Sequence, residues 1–424
     1  MAQAAFEFIR TTTTPSSSSS STSNITLPGT PAGSAPAGSG LDATGFTIGW
    51  DHARHRITPP LAHLNDHNPV GQGWAAGRTA FGERRLRSSA AVRQWLALRL
   101  QAWQTGAVFE DQQLNPAFLA RIDVPQCPVS RVPLLLATGG ADDATVLRLN
   151  TAAAYAAGNL AVVSRQVAQA WGHGDWQAAL AQADALAADR AGGTNRGSSA
   201  SSTNQPGLDA AAWQRLVVLT SFATPLPHAQ AALLPLHVLP PNRVRVINPV
   251  QALQVMLTLQ FSQGGYARRL LGLSALVPGA DARQAFQIFM HTLLARRLAV
   301  GSQPTPQQLR QAMEDTWADV LVQRRWQRLA SRLGAADCEL LLQRASQRGL
   351  VVGGGRWMSA DAATEGWALA APAAVPARSA AAAADQARLA GTLPALAARP
   401  GSARKRGSQN AASCAGLTDC SSRQ

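Results

Sequence analysis

The sequence NPVQALQVMLTLQF, residues 248–261, decides the fold because it predicts a helix that is buried on nearly every side. Asn248 suits the cap of a helix and Pro249 suits its first turn, so these two residues mark where the helix begins. Apolar residues occupy most of the following positions and leave only a narrow polar stripe. Such a helix needs neighbours on several sides, and we therefore expect it at the centre of a helical bundle or array.

Helical patterns continue on both sides of this central segment. Asp209 is placed as the N-cap of a helix over residues 210–222, whose apolar side chains recur at helical spacing. Further helices are predicted over residues 266–276, 281–300, 304–313, 317–333 and 335–348. Residues 236–247 contain two adjacent prolines and are expected to form an extended connector.

Composition divides the chain into two ordered blocks and three segments that lack a core pattern. Residues 1–44 are rich in Ser, Thr, Pro and Gly, and they are expected to be disordered because they bury too little apolar surface to offset chain entropy. Residues 191–207 are interpreted as a linker and residues 371–424 as a disordered basic tail. The predicted domains are therefore residues 45–190 and residues 208–370.

The predicted fold class is mainly α. A small α+β module of the ββα type is expected in the N-terminal block, followed by a helical bundle or array, with disordered termini. Within the N-terminal block, apolar residues at helical spacing predict a helix over residues 85–104.

Arginine gives the chain a formal net charge of +14, and Lys405 is the one lysine in the sequence. Because phosphate contacts gain from counterion release, this charge favours DNA, RNA or another polyanion as a partner. Four candidate nucleic-acid-binding residues line one predicted helix: Arg324, Arg325, Arg328 and Arg332. The alternative is that these arginines form only a solvated face, and another protein is then the expected partner.

The cysteines and the hydropathy of the chain indicate the cellular compartment. The four cysteines form no paired motif, which favours a reducing compartment over a disulfide framework. The N-terminus lacks the apolar run of a signal peptide, and no segment reaches the ~18 apolar residues of a membrane span. We therefore expect a cytoplasmic protein without a membrane partner.

Histidines cluster between His52 and His67, alongside aspartates, and both residue types are common metal ligands. His63 and His67 would share a face if their segment were helical. Nearby prolines favour a loop instead, and no spacing matches a known metal signature. The cluster is interpreted as structural or merely polar, and no metal site is predicted.

The most informative part of the N-terminal block begins with CPVSR at residues 127–131. DDATVLRLN follows at residues 142–150, and YAAGNLAVVS at residues 155–164. This pattern predicts a short strand over residues 146–149, a turn, and a second strand or helix entry closed by Gly158-Asn159.

Residues 127–170 resemble one branch of the HNH (His-Me finger) endonuclease family. That family combines a Cys-Pro-Val-Thr-like turn, a Val-Asp-Arg-Ile/Leu-Asn/Asp strand and a Gly-Tyr-x-x-x-Asn-Leu turn. The resemblance implies a ββα unit that holds a divalent metal and activates water at a scissile phosphate. Four residues match the family pattern: Arg148, Asn150, Tyr155 and Asn159.

The chain departs from the family at Leu147, where an acidic residue is usual, and the Asn and Lys of the final helix are replaced near residues 168–171. Metal-assisted hydrolysis needs a ligand for the cation and a base for the water, and leucine supplies neither. Asp142 or Asp143 would substitute only after a register shift of several residues. For Cys127, a buried small side chain is expected rather than a zinc ligand, because no second cysteine stands at metal spacing.

Three hypotheses about function follow. In the first, a non-catalytic HNH-like module is joined to a basic helical domain that binds nucleic acid or protein and needs no cofactor. In the second, an active nuclease uses a divalent metal, with Asp142, Asp143 or the His52–His67 cluster replacing the missing ligands. The weak catalytic candidates are then Asp143, Arg148, Asn150 and Asn159. In the third, the chain is a helical protein-interaction protein with no nucleic-acid role. Because only the second hypothesis includes catalysis, the sequence leaves open whether the protein is an enzyme.

Overall fold

The computed structural model describes residues 5–7, 40–172, 174–191, 207–301, 303–352, 356–358 and 360–369. The chain divides into two units, Met1–Leu369 and Ala370–Gln424, and the second unit lies outside the described residues. Most of the segments predicted to be disordered, and nearly all of the predicted linker, also lie outside them.

Helices dominate the described part of the chain. In chain order, the α-helices are α1 Gly40–Arg54, α2 Pro69–Phe81, α3 Ala90–Gln104, α4 Pro116–Ile122, α5 Arg165–Trp171, α6 Trp176–Ala191, α7 Ala210–Ser221, α8 His228–Leu233, α9 Pro249–Leu259, α10 Tyr266–Ser274, α11 Ala280–Ala299, α12 Pro306–Asp315, α13 Val320–Ala330, α14 Ala335–Gln347 and α15 Ala360–Ala363. Short 3-10 helices cover Leu61–His63, Gln260–Ser262 and Thr316–Ala318. No helix in the described ranges is long and apolar enough to span a bilayer.

The strands are β1 Ala5–Glu7, β2 Ala144–Arg148, β3 Leu160–Ser164, β4 Arg245–Val246 and β5 Arg356–Met358. They form two small sheets, one of β2 and β3 and the other in the order β4-β1-β5. The predicted fold class, mainly α with a small α+β part, is confirmed.

The predicted central helix, α9, is buried along its length, from Pro249 to Thr258. Its polar stripe is also inside the protein, where most of its groups find hydrogen-bond partners, although the buried Gln254 Oε1 has none among the described residues. Gln254 donates a hydrogen bond to the carbonyl of Leu234 at 2.9 Å, and the Thr258 hydroxyl accepts one from the Trp317 indole at 3.3 Å. Because these partners replace water, a stripe that looks solvent-facing in the sequence is compatible with a buried helix.

Asn248 is the N-cap residue of α9 and Pro249 follows in the first turn, as predicted, but the Asn248 side chain makes no capping hydrogen bond to a backbone amide of α9. Its Oδ1 accepts a hydrogen bond from the Leu226 amide at 3.0 Å, and its Nδ2 donates to the carbonyls of Ser221 and Thr224. Asn248 therefore ties the end of α7 to the start of α9. The cap predicted at Asp209 is confirmed, since its carboxylate accepts from the Ala212 amide at 2.7 Å.

Two predicted helices begin later than expected, because a capping residue interrupts the pattern. The helix predicted over residues 317–333 is a 3-10 turn followed by α13, which starts after Asp319 accepts hydrogen bonds from the Leu321 and Val322 amides. Similarly, the helix predicted over residues 85–104 begins at Ala90, after the cap at Ser89.

The helix pair α1 and α2 was not predicted. Residues 50–54 were expected in a loop but belong to α1, which begins at Gly40 inside the segment expected to be disordered. A Cβ atom added at Gly49 or Gly73 would lie 1.9 Å from a backbone oxygen of the other helix. Glycine thus lets the two backbones touch, and this packing offsets the low helix propensity of glycine.

A ββα unit forms where the sequence predicts a strand, a turn and a second strand or helix entry. β2 and β3 pair antiparallel, from Ala144 opposite Ser164 to Arg148 opposite Leu160. α5 follows β3 directly. One hydrophobic cluster contains both this unit, through residues such as Leu149 and Val163, and the helical block, through residues such as Phe222. Residues before and after the segment interpreted as a linker therefore belong to one hydrophobic core.

Candidate functional site

The turn at residues 127–131 is fastened by the sulfur of Cys127, which is buried as predicted. This sulfur accepts hydrogen bonds from the amides of Ser130 at 3.4 Å and Ser164 at 3.3 Å. The turn is thereby joined to the end of β3. Among the described residues, no three His, Cys, Asp or Glu side chains lie together as a metal site.

Asn150 and Asn159 close the loop between β2 and β3 as a reciprocal pair. The Asn159 Oδ1 accepts from the Asn150 amide at 2.8 Å, and its Nδ2 donates to the carbonyls of Asn150 at 3.0 Å and Ala154 at 2.9 Å. The Asn150 side chain accepts from the Ala152 amide and donates to the carbonyl of Ala223 on the helical block. Both asparagines are buried, so their hydrogen-bonding groups serve the loop itself.

Arg148 lies over the ring of Tyr155, 4.6 Å from its centroid, and donates a hydrogen bond to the carbonyl of Ala153 at 3.3 Å. The two family-like residues Arg148 and Tyr155 thus contact each other. Burial raises the pKa of the Tyr155 hydroxyl, while the nearby Arg148 charge lowers it less. Leu147, which stands at the acidic position of the family, is buried in the core.

Asp143 lies just before β2 with its carboxylate saturated by hydrogen bonds. It accepts from the Thr138 hydroxyl at 2.6 Å and amide at 2.9 Å, and from the Gly139 amide at 2.7 Å. Arg165, the first residue of α5, completes the set at 2.9 Å. The hydrogen bonds from Thr138 lower the pKa of Asp143 most. This arrangement fixes the loop that precedes β2 onto the start of α5.

The histidines between His52 and His67 have separate surroundings. His52 is buried, and its Nδ1 lies 2.8 Å from the carbonyl of Ile48, one turn earlier in α1. His63 lies between the side chains of Asn68 at 3.1 Å and Gln104 at 2.6 Å. Burial lowers the pKa of His52, which favours its neutral form. These contacts hold the turn between α1 and α2 against α3.

The four arginines of the nucleic-acid hypothesis lie on and just after α13. Arg324, Arg328 and Arg332 are exposed and Arg325 is half-buried, whereas Trp326 between them is buried and donates to the carbonyl of Ala232 at 2.9 Å. Of the four, Arg332 donates to the carbonyl of Arg328. None forms an ion pair with any residue in the described ranges. We call these four residues the arginine face.

A groove of about 410 Å³ lies beside the arginine face, between α11 and α13. Its lining combines Ile288, Ala295 and Leu321 with His291 and Arg325. Arg296, at the rim of the groove, is bonded to Asp319, so its charge is compensated locally. The positive charge without a carboxylate partner therefore lies on the α13 side.

An ionic cluster around the buried Glu314 joins the 127–131 turn to the helical block, and the sequence does not predict it. Arg131 bonds to Asp315 at 2.6 Å and lies 3.4 Å from Glu314, which also accepts from Arg310 at 3.0 Å. His237 lies near these charges, and burial, followed by the Arg215 charge, lowers its pKa to about 4. Arg310 lies four residues before Glu314, but the other arginine of the cluster, Arg131, is remote along the chain, so the sequence shows only this local part.

Comparison with family models, with curated proteins and with solved structures finds no match for this chain.

Proposed function

We propose that this protein binds nucleic acid by contacting the phosphate backbone with the arginine face, and that its ββα unit is a non-catalytic, HNH-like scaffold. A cytoplasmic location is part of the proposal. The observation that carries it is the set of Arg324, Arg325 and Arg328 on α13 and Arg332 just after it, none of which has a carboxylate partner among the described residues.

Electrostatics within α13 supports a polyanionic ligand. Arg324 and Arg328 are separated by one helical turn, and Arg325 precedes Arg328 by three positions, while Arg332 lies just after the helix. Like charges at such spacings destabilise a helix by about 0.2–0.5 kcal/mol per pair. A few other arginines are paired with a carboxylate, as Arg165 is with Asp143. A row of phosphates would relieve the repulsion along the arginine face and release counterions.

The arrangement favours the backbone over the bases. Trp326, the aromatic residue of α13, is turned into the core and hydrogen-bonded there, so its ring is not offered for base stacking. Arginine can form two parallel hydrogen bonds to a phosphate. We therefore expect binding that depends weakly on sequence and strongly on salt.

The ββα unit supports the non-catalytic part of the proposal. The side chains of Asn150 and Asn159 form hydrogen bonds within the loop that joins β2 to β3 and, from Asn150, to the carbonyl of Ala223. Asp143 accepts four hydrogen bonds from its own surroundings, and Leu147 has no group that binds a cation or takes a proton. In the proposal these residues fix the shape of the unit rather than act on a phosphate.

The test compares the full chain with a variant in which all four residues of the arginine face are changed to glutamine. The matched control removes the same charge from four exposed arginines elsewhere: Arg93, Arg121, Arg344 and Arg348. Binding to labelled duplex DNA and RNA is measured by fluorescence anisotropy at low salt. We expect the arginine-face variant to lose at least tenfold in affinity and the control to stay close to the wild type, since only phosphate contacts carry this term.

Incubation with Mg²⁺ or Mn²⁺ is run in parallel, and intact nucleic acid is the expected result. Cleavage that disappears in a folded Asp143→Asn variant would replace the proposal by the metal-dependent nuclease. Absence of binding at low salt would remove nucleic acid from the account and leave the protein-interaction hypothesis.

A further inference from the structure

The groove between α11 and α13 is an apolar depression next to the arginine face. Ile288, Ala295 and Leu321 supply its apolar lining, and Leu321 is 46% exposed. The preceding residue, Val320, is 59% exposed. Large apolar side chains exposed beside each other often mark a place where another molecule binds. The volume of about 410 Å³ lies within the range of roughly 300–1,000 Å³ that is usual for small-molecule sites, so the groove can hold one compact group.

Arg325 lines the groove and also belongs to the arginine face. It is half-buried, and its guanidinium forms no hydrogen bond or ion pair with any residue in the described ranges. Across the groove, in contrast, Arg296 is bonded to Asp319. Because a partly buried charge without a partner is costly, an anionic group placed at Arg325 would be stabilising. The base of a nucleotide that is bound there through its phosphate would lie beside the groove.

The groove is short on its α13 side, which favours a single base over a helical peptide. Residues of α13 line it from Leu321 to Arg325, a distance of about 6 Å along the helix. A helix that binds in a groove usually places its anchors at positions i, i+3, i+4 and i+7, which extend over about 10 Å. One flat base therefore fits this opening better than such a row of anchors.

His291 and Thr292 add polar groups to the lining. The His291 ring is exposed and has no hydrogen-bond partner among the residues that the structure describes. Its nitrogens can donate or accept, depending on the tautomer. The Thr292 hydroxyl donates to the carbonyl of Ile288 at 2.8 Å and keeps its capacity to accept. A base has apolar faces and a polar rim, so apolar walls with two adaptable polar groups suit it without selecting one sequence.

We propose that the groove between α11 and α13 binds an unpaired base of a single-stranded nucleic acid whose phosphates contact the arginine face. This inference rests on the proposed function and narrows its ligand to DNA or RNA with unpaired bases. The bases of a duplex are stacked and paired, so a duplex contacts the arginine face alone. Because every base has apolar faces, the preference is for a single strand and not for a particular sequence.

The test uses the full chain and fluorescence anisotropy with labelled oligothymidine and oligouridine, each beside an abasic strand of the same backbone and length. An abasic strand keeps the phosphates and lacks the bases. We expect at least one of the two oligonucleotides to bind about fivefold or more tightly than its abasic strand, and the one that does identifies DNA or RNA as the ligand.

Ala295→Leu fills part of the groove without changing the charge. It should weaken binding of that oligonucleotide by at least about threefold and leave binding of the abasic strand and of duplex DNA unchanged. The matched control is Ala280→Leu, at an exposed position at the other end of α11, and it should change none of these affinities. If Ala295→Leu does not fold, Leu321→Ala provides the same comparison by removing part of the apolar wall.

Equal affinity for strands with and without bases, both bound in a salt-dependent manner, would overturn this inference and leave the proposed function standing. Absence of binding by every strand and duplex would overturn both. A preference for bases that a folded groove variant does not reduce would also refute the inference, because the bases would then be bound elsewhere. Finally, an acidic amphipathic peptide of leucine and glutamate is tested on the same variants. Binding of this peptide that Ala295→Leu weakens, without any preference for bases, would overturn the proposal and assign the groove to a protein partner.

Discussion

Asn159→Ala separates a scaffolding role of the β2–β3 loop from a role in contacting ligand. The Asn159 side chain is fully buried and makes three hydrogen bonds of 2.8–3.0 Å to the backbone of Asn150 and Ala154. Alanine leaves the Asn150 amide and the Ala154 carbonyl without a partner, whereas the Asn150 carbonyl keeps its hydrogen bond from the Ala153 amide at 3.2 Å. Each unsatisfied buried group costs about 1–3 kcal/mol, so the free energy of unfolding should fall by at least roughly 2 kcal/mol.

Equilibrium unfolding in urea measures this loss from the shift of the midpoint at an unchanged slope. Asn242→Ala is the matched control, because Asn242 is only half-buried and its side chain donates one hydrogen bond of 3.3 Å, to the carbonyl of Asp123. The control should lose no more than about 1 kcal/mol. Wild-type stability of Asn159→Ala, together with weaker nucleic-acid binding, would refute the scaffolding role and make Asn159 a ligand-contacting residue.

Three further predictions concern packing, pH and thiol reactivity. Gly73→Ala should destabilise the protein by about 2–3 kcal/mol in thermal unfolding, because its Cβ would lie 1.9 Å from the carbonyl oxygen of Phe46. The control Gly40→Ala should not, because nothing lies within 4 Å of the added Cβ. Equal melting temperatures of the two variants would contradict the close packing of α1 on α2. Burial lowers the pKa of His237 to about 4 from 6.5, so the unfolded chain binds a proton first as pH falls. Stability is then full above about pH 6.5 and is lost towards pH 4 by on the order of 3 kcal/mol, and His237→Gln should flatten this part of the stability–pH curve; an unaltered curve would contradict the burial. Burial raises the pKa of Cys338 to about 12, so iodoacetamide should label it only after denaturation, and rapid labelling of the native protein would be the contrary result.

Helices with a strong local pattern could be predicted from the sequence, because their burial and their caps involve neighbouring residues. α7 with its cap at Asp209 is such a case, and so is the buried length of α9. Asn248 shows the limit of this reasoning, since it stands at the predicted N-cap of α9 but its side-chain amide reaches back to the end of α7 instead of bonding to an amide of α9. Local propensity cannot choose between two hydrogen-bonding uses of one side chain when the better partner is brought near by the tertiary fold.

The helix pair α1–α2 and the strand β1 could not be predicted for a related reason. Glycines lower helix propensity, and the contact that makes them useful, at Gly49 and Gly73, exists only when both helices are in place. The pairing of β1 with β4 and β5 joins parts of the chain that are far apart in the sequence. Strand pairing of this kind leaves little local signal, particularly in a segment of three residues.

The candidate site was predictable where it lies on one helix and not where it combines several elements. The spacing of Arg324, Arg325 and Arg328 is a property of α13 itself, and Arg332 follows two residues after this helix ends. The carboxylate of Asp143, in contrast, was considered as a substitute metal ligand, and only the folded loop brings it to the amides of Thr138 and Gly139. That Asp143 has no catalytic role stays a prediction, and the cleavage assay with Mg²⁺ or Mn²⁺ tests it.

The salt dependence of nucleic-acid binding tests the central claim most directly. Each phosphate contact with duplex DNA contributes about 0.9 to the slope of log K against log salt. We predict that changing the arginine face, Arg324, Arg325, Arg328 and Arg332, to glutamine reduces the magnitude of that slope by about 3–4, and that the matched arginine control leaves it nearly unchanged. The same slope in wild type and arginine-face variant would contradict the claim, because it would show that these arginines do not contact phosphates.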